Sequence, residues 1–166
     1  MEFREVVTGR RMCRSFAPDP IPPEVLGRVL DAGRRAPAAG NTHGTHLMVL
    51  EGPVQTARYW DVTLPVERRE GFRWPRLLDA PVLVLPLAEP GAYVARYAED
   101  DKATTGLGAG EEAWPTPYWT VDTAFAAMSI LLAAEDEGLG ALFFGIFRGG
   151  DELLDALGVP DGLEPI

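Results

Sequence analysis

Apolar residues along this chain alternate between helical spacing and short unbroken runs, and the changes of period mark out its elements. Phe3, Val6 and Val7 share one face over residues 2–8, which predicts a short opening helix. The segment Phe16-Ala17-Pro18-Asp19-Pro20 is extended, because Pro18, Pro20, Pro22 and Pro23 exclude helix there. Pro22 or Pro23 suits the first turn of a helix, and Val25, Leu26, Val29, Leu30 and Gly33 continue at helical spacing to about Arg35. Pro37 ends it.

His46 to Leu50 reads as a strand closed by Gly52-Pro53. Pro81 to Leu85 is a stronger strand, apolar at nearly every position, as in central strands buried on both faces. Residues 54–76 between them form a mixed, helical segment ending in Arg73-Trp74-Pro75-Arg76. Residues 89–116 contain Gly106-Leu107-Gly108-Ala109-Gly110, but Glu111 stands where a third glycine would complete a dinucleotide fingerprint and no strand precedes it. A mobile loop is expected there. The longest helix runs from Val121 to Glu137, with Val121, Ala124, Phe125, Met128, Leu131 and Leu132 on its apolar face, and Gly138 and Gly140 stop it. Ala141 to Phe147 then predicts another buried strand, and Glu152 to Leu157 a short helix ended by Gly158. Leu163-Glu164-Pro165-Ile166 begins one more strand. Helices interleaved with apolar strands indicate an α+β or mixed three-layer fold. No repeat, low-complexity tract or long linker divides the chain, so residues 1–166 are expected to form a single domain.

Composition narrows the partners. With 46% hydrophobic and 24% charged residues, the 166-residue chain can bury a real core. Its formal net charge is -10, yet residues 1–76 hold 12 basic and 9 acidic side chains while residues 77–166 hold 3 and 16. Nucleic acid is excluded as a partner, because a phosphate backbone calls for a continuous basic surface rather than a local patch. Cys13 is the single cysteine, which rules out an internal disulfide or a zinc framework and fits a reducing interior. Without an apolar leader, or a run approaching the roughly 18 apolar residues of a membrane span, the expected location is cytoplasmic and away from membranes.

The candidate chemistry begins at Arg10-Arg11-Met12-Cys13-Arg14, which places three guanidinium groups within five residues. Planar arginine forks suit phosphate oxygens, and a solvated basic face is the alternative. About two dozen positions later, Ala36-Pro37-Ala38-Ala39-Gly40-Asn41 offers small side chains that let a planar group approach the backbone, although helix termination accounts for the glycine equally well. His43 and His46 lack a nearby Cys, Asp or Glu to complete a metal site and read as ordinary loop and strand residues. There is no Gly-x-Ser-x-Gly elbow, and no signature marks Cys13 as a nucleophile. Asp100-Asp101 and Glu111-Glu112 read as solvated charge. Trp114-Pro115-Thr116-Pro117-Tyr118-Trp119 packs three aromatics before the long helix, as a wall for a flat ligand or as a core plug.

Taken in order, Arg10 to Phe16, Ile21 to Leu26, Arg35 to Thr42, Asp79 to Val84, and Gly138 to Ala141 running to Gly145 resemble the FMN-dependent nitroreductase family over nearly the whole chain. The resemblance implies an α+β, nitroreductase-like fold with a central, mixed, mostly antiparallel sheet flanked by helices. It implies a homodimer with FMN at the subunit interface. Arg10, Arg11 and Arg14 match positions that hold the phosphate, with Met12 contributing through its backbone. Pro37, Ala38, Ala39 and Asn41 match a segment that borders the isoalloxazine from the other subunit. Phe144 and Gly145 match backbone positions near N5, and Arg76 a position at the pyrimidine edge.

Met12 and Ala38 stand where the family often has Ser, and His43-Gly44-Thr45 where it often has Gln-Pro-Trp, so substrate preference does not carry over. The usual C-terminal strand and the tail that brings another basic residue to the phosphate are expected to be lacking, so that either the sequence is a truncated form or the hold on FMN is weaker than the resemblance implies. The implied function is hydride transfer from NAD(P)H through flavin N5 to a nitroaromatic, quinone or related acceptor. The flavin carries the chemistry, so no catalytic side chain, metal or separate dinucleotide fold is expected. The alternatives are a flavin-binding sensor or store without turnover, and a flavin dehydrogenase or oxidase acting on a specialised metabolite.

Overall fold

The computed structural model describes all residues, Met1–Ile166. Six helices, α1 (Phe3–Gly9), α2 (Pro23–Arg34), α3 (Gly52–Thr63), α4 (Pro90–Tyr97), α5 (Tyr118–Asp136) and α6 (Gly150–Leu157), accompany three strands, β1 (Thr45–Glu51), β2 (Val82–Ala88) and β3 (Glu164–Pro165). The strands form one sheet in the order β1-β2-β3. The chain resolves into two compact units, one of residues 1–29, 49–84 and 131–160, the other of residues 30–48, 85–130 and 161–166.

In the first unit, Gly52 takes φ 77° and donates its N–H to Pro81 O at 2.8 Å. Gly52-Pro53 therefore ends the strand as expected and at once opens α3, where Pro suits the first turn. α3 packs on α6: Leu153 and Leu157, four apart, are buried, and Arg58 Nη2 donates to Ala156 O at 2.7 Å. Gly158, left-handed at φ 71°, closes α6. Only one of the three apolar residues of α1 is buried: Val6 is inside, while Phe3 and Val7 are exposed.

The second unit is centred on Tyr93, Trp114 and Trp119, buried beside Ala88 and packed edge to face at centroid distances of 5.8–6.2 Å. This decides the aromatic run before α5 in favour of a core plug for Trp114 and Trp119. It also corrects the expected loop over 89–116, which holds α4 and a series of 3₁₀ turns. Trp114 Nε1 donates to Leu107 O at 3.0 Å, and a Cβ on Gly108 would lie 2.6 Å from the Ala98 backbone. Gly108 is there for close packing, which composition alone reads as looseness. The chain end does form a strand, with Leu87 opposite Pro165 and Ala88 opposite Glu164 in antiparallel register.

Two further expectations are overturned. Ala141–Phe147 is not a strand: Ala141 makes one parallel bridge to Met12, and the following residues find no continuous neighbour for a ladder. On α5 the buried positions are Trp119, Asp122, Thr123, Ala126, Ala127, Leu131 and Ala134, whereas Ala124, Phe125 and Met128 are exposed. A helix apolar on nearly every side offers no periodic cue to its inner face, and here the small residues allow the closer approach: Gly33 of α2 sits against Ile130 and Ala126.

Gly108→Ala will drive a methyl into the Ala98 backbone and lower stability by about 1–3 kcal/mol, measured by urea denaturation. An unchanged midpoint would show that residues 98–110 are not packed in this way.

Candidate functional site

The arginine segment begins where α1 stops. Arg10 leaves the helix at φ -50°, ψ 128°, its N–H bonded to Val6 O. Arg11 turns back, its Nη1 donating to the carbonyls of Thr8 (2.7 Å), Gly9 (3.1 Å) and Arg10 (3.0 Å), and so caps the negative end of α1. Cys13 N–H donates to Ala141 O at 2.9 Å, and Phe143 N–H to Met12 Sδ at 3.4 Å. A Cβ on Gly140 would lie 3.1 Å from Cys13 Sγ, so the approach requires a small residue there. Arg10 Nη1 is buried without a hydrogen-bond partner. Such an orphan is costly.

This junction lies beside a cavity of about 730 Å³ in the first unit. Phe144 and Gly145 line it, with Arg14 and Arg148 as its charged residues. Phe144 stacks on Trp60 at 5.9 Å and 3° between planes, and Tyr59 meets the Trp60 ring edge-on at 5.0 Å. Phe72 and Trp74 supply more aromatic wall, and the Arg14 and Arg73 guanidinium groups lie 5.5 and 5.1 Å from the Trp74 ring centroid. Trp60 Nε1 is buried and has no partner. Burial pushes the Tyr59 hydroxyl up to about 12, keeping it a neutral donor. Arg76 is outside this lining: its Nη2 donates to Phe16 O at 2.9 Å, and Asp79 lies 3.7 Å away.

Pro37, Ala38, Ala39 and Asn41 belong to the second unit. Gly40 (φ 65°) and Asn41 (φ 54°) make a left-handed turn there. Three anchors hold it. Ala39 N–H donates to Asp122 Oδ2 at 2.7 Å, the same oxygen that accepts from Tyr93 Oη at 2.9 Å. Arg96 Nε donates to Gly40 O at 3.0 Å, and the Tyr97 ring closes over Gly40, where a Cβ would lie 2.8 Å from Cε2. Arg96 is itself gripped by both oxygens of Asp101 at 2.7 and 2.8 Å, a hydrogen bond that holds the Asp101 carboxyl below its ordinary range. Asp101 is thus a structural partner rather than idle solvated charge.

Burial, with Asp122 alongside, pushes the Tyr93 hydroxyl far above its usual range, so it remains a donor. Asp122, Tyr93 and Arg96 were not legible as support residues. The available signal was an acidic side chain within an apolar helix, since a buried carboxylate must find donors. His46 pairs with Glu89 at 2.7 Å, and His, Cys, Asp and Glu nowhere gather in a metal-binding group of three or more.

The fold belongs to a known class. Residues 7–166 match the Nitroreductase family, and the chain is a member of it. A nitroreductase family protein of Clostridium novyi NT superposes with a TM-score of 0.75 at 25% identity, over all of this chain and 81% of that one. A relative from Archaeoglobus fulgidus, described as a "Putative NADH dehydrogenase/NAD(P)H nitroreductase", is 24% identical over 98% of this chain and 79% of its own length. A "putative nitroreductase in complex with FMN" from Exiguobacterium sibiricum 255-15 shares the fold at TM-score 0.75 and 17% identity, over all of this chain and 85% of that one. No helix is long and apolar enough to cross a membrane.

Asp122→Ala will strand the Tyr93 hydroxyl and the Ala39 N–H, at about 1–3 kcal/mol for each group left unpaired, read from urea denaturation. A loss below the lower figure would mean that water replaces the carboxylate. Because the Tyr59 hydroxyl is raised in the fold, its contribution is complete below pH 10 and is lost as pH rises to about 12. Tyr59→Phe should flatten that part of the alkaline stability profile, and an identical profile in the variant would exclude the assignment.

Proposed function

We propose that this chain is an FMN-dependent oxidoreductase that uses NAD(P)H to reduce a nitroaromatic, quinone or related acceptor, working in the cytoplasm as a homodimer. The observation that carries the reading is an aromatic cavity whose charged lining residues are Arg14 and Arg148, in a member of the nitroreductase family, with Arg10 Nη1 buried and unpartnered four residues before Arg14. The residues present fit the cofactor. Arg10 would take a phosphate oxygen with its free N–H, and Arg14 would supply a second cation. Arg11 is committed to the α1 carbonyls and contributes its charge nearby. Met12 offers its backbone and Phe144 and Gly145 border the ring; Arg76, outside the cavity lining, would have to leave Phe16 O and Asp79 to favour negative charge at the pyrimidine edge.

FMN bound there supplies the two-electron chemistry, accepting hydride from NAD(P)H and returning it to the acceptor. The chain's own work is to orient the planar partners and exclude water. The stacked Trp60 and Phe144 rings give a flat wall for that purpose. Its cavity lining holds no carboxylate, imidazole or thiol, so orientation and arginine charge are what the protein contributes. The names of the Archaeoglobus relative and the FMN complex support the nucleotide and the cofactor.

The dimer is supported by an apolar stripe on α5: Tyr118, Phe125 and Met128 are 44%, 48% and 43% exposed. Their spacing puts them on one side of the helix, and a second copy would cover them. The rigid Pro37–Asn41 turn of that copy would then border the flavin.

Arg10→Ala and Arg14→Ala should each weaken FMN binding by roughly tenfold to a hundredfold, followed by quenching of flavin fluorescence. Affinity equal to the parent would remove the phosphate assignment. Anaerobic NADPH or NADH should bleach the bound flavin, and a flavin that stays oxidised under both nucleotides excludes the enzyme. Phe125→Glu should shift the protein to monomer in sedimentation, and a parent that already sediments as a monomer would refute the dimer.

A further inference from the structure

The Ala39–Asn41 turn of the second unit is held more firmly than its place on the surface requires. Asn41 is exposed and Ala38, Ala39 and Gly40 are only half-buried, so the turn adds little to the core. It nevertheless keeps Asn41, a residue with a side chain, at φ 54°. Left-handed outliers of this kind gather at sites where a ligand meets a fixed backbone. What fixes this one is a single arginine.

All three nitrogens of the Arg96 guanidinium are engaged. Nε donates to Gly40 O at 3.0 Å, Nη1 to Asp101 Oδ1 at 2.7 Å and Glu99 Oε2 at 3.0 Å, and Nη2 to Asp101 Oδ2 at 2.8 Å. The two-pronged grip of Asp101 sets the plane of the guanidinium, and with it the direction in which Nε–H meets the Gly40–Asn41 peptide. Lys102, the next residue after Asp101, stands with Nζ 5.7 Å from the centroid of the Tyr97 ring that closes over Gly40. Stability of the fold does not account for this arrangement. The Asp101 side chain is 59% exposed, and an ion pair so open to water contributes little to folding. A lysine would supply the same charge, but without a planar fork it could not serve Gly40 O and both Asp101 oxygens together.

We propose that Arg96, oriented by Asp101, is a positioning residue for the flavin ring: it fixes the Gly40–Asn41 peptide against the isoalloxazine held by the partner subunit. The inference rests on the proposed function for the flavin and the dimer, and on the contacts of the second unit for the mechanics of the turn. Neither Arg96 nor Asp101 touches the cofactor on this reading. Because the turn meets the ring and not the phosphate, flavins with and without a phosphate should respond alike to a change at Arg96.

The test titrates the full chain with FMN and with riboflavin, following the quenching of flavin fluorescence. Arg96→Lys should weaken both by the same factor, about three- to tenfold, whereas Arg10→Ala should weaken FMN alone. Asp101→Asn, which disturbs the fold least, should shift both affinities in the same direction by less. Combined with Arg96→Lys it should add nothing, since Asp101 acts only through the arginine. Without flavin, amide hydrogen exchange at Asn41 and Thr42, whose N–H groups donate to Ala38 O and Ala39 O, should quicken about tenfold in Arg96→Lys while α5 exchanges as before. Unchanged exchange overturns the proposal, because Arg96 then does not hold the turn. A loosened turn with both affinities at the parent value overturns it too, and so does a loss confined to FMN, which would assign the effect to the phosphate. A parent that binds neither flavin removes this inference together with the proposed function. A parent that binds both, loses both alike in Arg96→Lys, and is not bleached by NADPH or NADH sinks the enzyme and leaves the positioning role standing.

Discussion

One backbone bridge, between Met12 and Ala141, brings together segments about 130 residues apart in the chain, and the cavity of the first unit is built around it. The Cys13 N–H to Ala141 O bond sets the register, and the missing side chain of Gly140 lets the two backbones approach. From that point Arg10 and Arg14 are delivered on one segment, Phe144, Gly145 and Arg148 on the other. Because the contact is a bridge and not a ladder, residues 142–148 are free of strand geometry. Their side chains need not alternate between faces, and Leu142, Phe143, Phe144 and Gly145 all reach the same cavity.

The second unit solves a different problem, that of holding an exposed turn in a fixed shape. A left-handed pair such as Gly40-Asn41 is unfavourable for most sequences and persists only where the surroundings determine it. Here a buried carboxylate takes the Ala39 N–H, a guanidinium meets the Gly40 carbonyl and an aromatic ring closes over Gly40. Arg96 is itself held by Asp101, so loop charge that is unremarkable in the sequence becomes the outer support of the turn.

Electrostatics in this protein are local. A net charge of -10 would repel an anionic ligand at long range, but screening confines that effect to about a Debye length of 10 Å or less in physiological salt. What would govern a small anion is the local potential, and Arg14 and Arg148 are the charged residues of the cavity lining. The buried Arg10 N–H sharpens the point, since a desolvated donor interacts more strongly than a hydrated one.

Much of this was legible in the chain itself. The prolines that frame α2, the apolar run of β2 and the glycine that stops α6 act through local chemistry, and each formed close to where the pattern put it. The arginine triplet, set among motifs in family order, also pointed to the nitroreductase class. The failures share one cause. Which side of α5 is buried, whether residues 141–147 pair as a strand, and whether glycines at 106–110 loosen or pack the chain all depend on what lies opposite, and a sequence does not state its neighbours. Tertiary structure alone decided that Arg11 would cap a helix while Arg10 buried an N–H without a partner, that Asp122 would tie down Ala39, and that Trp60 would bury its donor unpaired. Hydrogen-bond satisfaction is a property of the folded surroundings, and it is there that identical residue types acquire different roles.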